Sequence, residues 1–78
     1  MTLTVEFTVE PFVEGEPGPH VRAAVEAAER SGLAVDVGPF GTGVTGDDDA
    51  VLDVVDAIVR AAVGAGATRV SLQVVRQT

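Results

Sequence analysis

Cysteine, lysine, asparagine, tryptophan and tyrosine are all missing from this 78-residue chain. Without cysteine there is no thiolate nucleophile, no redox dithiol and no thiolate metal site. Without lysine the basic complement is five arginines against twelve acids, a net charge of −7. That balance argues against a phosphate-backbone binder, which gathers cations on one face, so no nucleic-acid partner is expected. No apolar run approaches the ~18 residues that a membrane span needs, and no membrane association is expected. No basic stretch followed by an apolar one opens the chain, so a secretory signal is not expected and the cytoplasm is the default compartment.

What is present is small and aliphatic. Sixteen Val and eleven Ala dominate the hydrophobic residues, with only three Phe. The length allows a single domain, residues 1–78. A chain this short buries little more than about 60% of its extended surface. Each full-sized aliphatic contributes on the order of 1.5–3 kcal/mol when buried. With no disulfide to staple the fold, self-association is expected to supply missing burial.

Thr2 to Glu10 alternates strictly, with Leu3, Val5, Phe7 and Val9 on one side and Thr4, Glu6, Thr8 and Glu10 on the other. This is the pattern of a half-buried strand, ended by Pro11. A Gly/Pro-rich loop over residues 12–19 leads into a helix over His20–Ser31, with Pro19 suited to its first turn. Val21, Ala24, Val25 and Ala28 form its apolar stripe, and Gly32 is a natural left-handed C-cap. Leu33, Val35 and Val37 mark a second strand, Gly38-Pro39-Phe40-Gly41 a turn, and Thr42–Thr45 a short third strand with Val44 facing the core. The run Asp47-Asp48-Asp49 lacks the spacing and terminal Glu of a calcium loop, and reads as an acidic cap on a second helix. That helix carries Val51, Leu52, Val55, Ile58, Val59 and Ala62 as its stripe and stops at Gly64 and Gly66. Thr68–Gln77 is the last strand, with Val70, Leu72 and Val74 inward.

Two helices cannot cover both faces of four strands. The β-α-β-β-α-β order therefore predicts an α+β, ferredoxin-like sandwich: a four-stranded antiparallel sheet with both helices on one face and strands one and three in the middle. Parity then assigns Thr4, Glu6, Thr8, Glu10, Ala34, Asp36, Ser71, Gln73 and Val75 to the bare face. That surface is either solvated or meets a second subunit or a cationic polar ligand. Glu6 is its most informative residue, because a covered charge in mid-sheet must be paired or hydrogen-bonded. Phe40, between glycines at a loop tip, is either a hydrophobic plug or a stacking surface. His20, the single histidine, reads as a surface residue at a helix start. Gly41-Thr42-Gly43 is a weak phosphate-loop signal, since a strand rather than a helix should follow it.

No nucleophile, base and orienting group form a visible set, so an enzyme is not expected and no catalytic residue is named. An acylphosphatase would need an Asn to place water, and the chain has none. An RNA-binding sheet would need exposed aromatics on its strands. An ACT-like small-molecule-sensing module, or a purely structural oligomerisation module, is the alternative that shares the element order.

Five features in order carry a resemblance. They are Val9-Glu10-Pro11 ending the first strand, Ser31-Gly32-Leu33 after the first helix, Gly38-Pro39-Phe40-Gly41-Thr42, Gly46-Asp47 before the second helix, and Gly66-Ala67 with Arg69-Val70 opening the last strand. Together they resemble the small YkoF-like thiamine-binding proteins over nearly the whole chain. The resemblance implies a ferredoxin-like fold, a homodimer or homotetramer, and non-catalytic binding of thiamine or its hydroxymethylpyrimidine moiety; the residues themselves suggest no metal site, and no cofactor is expected. The chemistry of such a ligand, a fixed positive charge and an aminopyrimidine edge, suits carboxylates, hydroxyls and an aromatic face. Glu6 is then expected to accept from the ring amine, Thr8 to bond the ring edge, Phe40 to stack and Thr42 to anchor the turn, with Asp36 and Ser71 as lesser contributors. Thr42 shares core parity with Val44 unless the turn shifts register by one residue.

Overall fold

The computed structural model describes residues 1–12, 15–16, 18–38 and 41–77. Its elements run β1 (Thr2–Glu10), α1 (Pro19–Arg30), β2 (Ala34–Val37), β3 (Thr42–Asp47), α2 (Asp48–Gly64) and β4 (Arg69–Gln77). The strands form one antiparallel sheet in the order β2-β3-β1-β4, which puts strands one and three in the middle, as expected. Both helices cover one face. This is the ferredoxin-like α+β arrangement.

The alternation of β1 is realised directly. Leu3, Val5, Phe7 and Val9 are buried under the helices, where Val44 of β3 and Val51, Val54, Ile58 and Ala62 of α2 join them. From α1 the core takes only Ala24, Ala27 and Ala28, with Val21 packed at its margin. Alanines let the two helices approach closely, so a small core is filled without large side chains. Expected and observed stripes differ on α2: Leu52 is 52% exposed, and Val54 is buried in its place. The wheel explains the exchange. Val54 lies one turn from both Val51 and Ile58, whereas Leu52 sits about 100° from Val51 and leaves the core side.

The helix ends follow backbone needs. Gly32 adopts φ +76°, a left-handed conformation that a side chain resists, and its N–H reaches the Glu29 carbonyl at 3.2 Å. At the start of α1 the Gly18 carbonyl accepts from Val21 and Arg22, each at 3.1 Å, with Pro19 next to the cap. At the start of α2 the expected aspartate cap is altered. Asp47 occupies the cap position in extended conformation, but its side chain makes no capping bond. It is still the last residue of β3, paired with Thr2 across the ladder, so its carboxylate stands with the bare sheet face. The free helix N–H groups go elsewhere: Asp48 donates to the Met1 carbonyl and Asp49 to the Asp48 carboxylate, both at 2.9 Å. The helix end is thereby tied to the start of β1.

Candidate functional site

The face without helices is ruled into rows by strand register. One row runs Asp36–Gly43–Glu6–Gln73 across β2, β3, β1 and β4. The row on one side of it runs Ala34–Thr45–Thr4–Val75. On the other side Thr8 pairs with Ser71, and beyond them Glu10 pairs with Arg69. All nine residues that parity assigned to this face stand on it. Adjacent strands lie about 4.8 Å apart, so the Glu6 and Asp36 backbones are roughly 10 Å apart with Gly43 between them.

Gly43 has no side chain, and the gap it leaves is the floor of an open depression of about 700 Å³. Its rim includes Thr4, Glu6, Thr8, Asp36, Thr45, Ser71 and Gln73. At the hairpin end, Gly38 donates to the Gly41 carbonyl at 2.8 Å, and Gly41 lies against Thr8 without a side chain to block it. The Thr4 and Thr45 hydroxyls meet at 3.0 Å, and the Gln77 amide donates to Thr4 at 3.2 Å. One edge of the depression is thus a pre-ordered hydroxyl pair. The Arg69 guanidinium lies 3.5 Å from the Glu10 carboxylate, outside the depression.

The sequence-derived candidates divide accordingly. Glu6, Thr8, Asp36 and Ser71 border the same depression. Thr42 borders it too, but its side chain is 7% exposed, in the row of Phe7 and Val37 on the helix side. The register does not shift, so the Thr42 side chain stays in the helix-side row and not among the outward-facing residues. Phe40 lies outside the described residues. His20 is accounted for structurally: its Nε2 hydrogen-bonds the Pro11 carbonyl and pins the start of α1 to the end of β1. Gly18 makes room for that ring, since a Cβ there would come within 2.6 Å of it.

Thr45 and Gly43 were not among the candidates. The parity of Val44 could have placed both on this face. That Gly43 falls between Glu6 and Asp36 depends on which residues pair across three strands; alternation fixes the face, but a two-residue slip would keep the face and change the partner. Chemically the arrangement suits a flat, cationic, amine-bearing ring. Peptide backbone forms its seat, a carboxylate stands on each side, hydroxyls lie at both ends and the Gln73 amide supplies both a donor and an acceptor.

Comparison with solved structures agrees with the fold. The chain is 32% identical to a domain of unknown function from Bacillus cereus, with a TM-score of 0.74 over 97% of this chain and 76% of that one. It is 26% identical to a candidate thiamine biosynthesis/salvage protein from Thermotoga maritima, with a TM-score of 0.59 over 96% of this chain and 81% of that one. A hypothetical protein from Methanocaldococcus jannascii shares the fold at 22% identity, with a TM-score of 0.75 over 99% of this chain and 81% of that one. No curated protein matches. The thiamine-binding protein family matches residues 5–76, a span that starts within β1, ends within β4 and contains the four elements between them. The chain belongs to the thiamine-binding protein family.

Proposed function

We propose that this protein binds thiamine, or its hydroxymethylpyrimidine portion, on the bare sheet face and does so without chemical conversion. The observation that carries the reading is the row Asp36–Gly43–Glu6–Gln73. It sets two carboxylates around a side-chain-free floor in a member of a thiamine-binding family. Glu6 and Asp36 offer acceptors to the exocyclic amine and a negative field to the thiazolium. Thr8, Ser71 and Gln73 offer hydrogen bonds to ring edges. Nothing in this set activates a nucleophile, which fits retention of the ligand rather than turnover.

The same reading includes a homodimer or homotetramer. The side of α2 that carries Ala50, Ala57 and Ala61 faces the groove toward α1. The opposite flank carries Leu52 and Val63, both exposed, and on the helix-side face of edge strand β4 Val74 is exposed as well. The nine-residue edge strand β4 has its two charges, Arg69 and Arg76, near its ends, which leaves its middle open to pairing, and a second copy would both cap it and cover this apolar flank.

Calorimetric titration of the full chain with thiamine and with hydroxymethylpyrimidine tests the binding. Saturable heat with one of them, and none with a panel of amino acids, is expected. Heat only with amino acids would favour the ACT-like alternative, and no heat at millimolar thiamine or pyrimidine would remove the present reading. Light scattering on the same samples should give a mass at least twice that of one chain.

A further inference from the structure

We propose that the depression accepts only the unphosphorylated form of its heteroaromatic ligand and turns away the phosphate esters, with Gly43 as the residue that admits the ring. This rests on the thiamine-site reading above and names the ligand form within it.

The cations of the chain stand away from the depression. Among the residues bordering the depression there are two carboxylates and no basic group. Arg22 and Arg30 belong to α1 and Arg60 to α2, on the other side of the sheet. Arg76 pairs in register with Leu3, again on the helix side. Arg69 alone among the arginines stands on the bare face, and it already faces Glu10 at 3.5 Å. A phosphate monoester carries about −1.5 to −2 charges and needs Arg, Lys or free helix N–H groups to hold it. The N-terminus of α2 offers no substitute, since Asp47, Asp48 and Asp49 crowd it. With a net charge of −7 behind it, the face attracts a cation and repels the same molecule once esterified.

Gly43 bears on the ligand independently of charge. The sheet-facing glycines have different reasons to be glycine. At Gly46 a Cβ would fall 2.8 Å from Leu33, and at Gly41 it would fall 3.3 Å from the Phe7 carbonyl oxygen. At Gly43 it would meet only the Val5 carbonyl oxygen at 3.9 Å, an ordinary contact, and the backbone there is not left-handed. Neither packing nor conformation requires glycine at this position. Glycine weakens a central strand, and in one it marks a bulge, a bend or the close approach of a ligand or another backbone; pairing runs unbroken through Gly43, which leaves close approach. Here the missing side chain is the one that would stand between Glu6 and Asp36, where the ring would lie.

The test is calorimetry with thiamine, thiamine monophosphate and thiamine diphosphate, at low and at physiological salt, on the full chain and on Gly43→Val. The expected result is that each ester binds at least about tenfold more weakly than thiamine at low salt, with the gap narrowing as salt screens the repulsion. Gly43→Val should keep its circular dichroism and melting temperature, because valine suits a strand, while losing thiamine binding. Esters that bind as tightly as thiamine would overturn the charge argument, and a valine variant with full thiamine affinity would overturn the role of Gly43. Ester binding leaves the site reading standing, whereas full affinity in the valine variant would also move the ring off the Gly43 row. Absence of thiamine binding in the unaltered chain would instead remove that reading and the selectivity with it.

Discussion

Truncating Phe7 to alanine is expected to lower the melting temperature by roughly 12–40 °C, from about 3–5 kcal/mol of lost stability at several degrees per kcal/mol in a domain of this size. Phe7 is 3% exposed, in central strand β1, with Thr42 and Leu72 as its ladder neighbours. Among the described residues it is the one aromatic in a core otherwise made of Val, Ala, Leu3 and Ile58. Small side chains cannot collapse into the space it would leave, so the cavity term should be near its full size. Small domains sit low in the usual stability range of about 5–15 kcal/mol, so the variant should be largely unfolded at body temperature. Scanning calorimetry checks this, with Phe7→Leu as the milder comparison. A shift of only a few degrees for Phe7→Ala would mean that the core does not depend on β1 as described.

The second large effect is on binding. Glu6→Ala should weaken thiamine binding by about 10–100-fold, the range for losing one hydrogen bond to a charged group. The melting temperature should barely move, because Glu6 is exposed and carries no packing. Glu10→Ala is the matched control. It removes a carboxylate from the same strand and face, but one that lies outside the depression and faces Arg69. Equal losses from the two substitutions would reduce the role of Glu6 to a share of the overall negative field.

The contrast between these residues shows what the sequence could reveal. Phe7 and Glu6 are adjacent in a segment with period-two alternation, so opposite faces follow from parity alone. The same parity put Asp36, Ser71 and Gln73 on the bare face and Thr42 under the helices. Gly32 was legible as a helix stop because its left-handed backbone is a local requirement. Other features depend on tertiary arrangement. The choice of Val54 over Leu52 on α2 depends on how that helix is rolled against the sheet, and both residues fit an apolar stripe of some phase. The cap at α2 differs because Asp47 is engaged in the ladder with Thr2. The juxtaposition of Gly43 with two carboxylates exists only after three strands have paired, and no local pattern announces it. Charge shows a similar progression. The −7 of the sequence first argues against a nucleic-acid partner, and strand register then separates the acids of helix caps and wet helix faces from Glu6 and Asp36, which flank the depression.

The most direct test of the sheet-face site is a residue-resolved titration: backbone amide NMR shifts of the full chain followed as thiamine is added. The expected result is saturable shifts centred on Glu6, Thr8, Asp36, Gly43, Ser71 and Gln73, with the Ala27, Ala57 and Ala61 amides of the helix groove unmoved. Shifts centred on that groove instead, or no saturable shift at millimolar thiamine, would contradict a site on the bare face of the sheet.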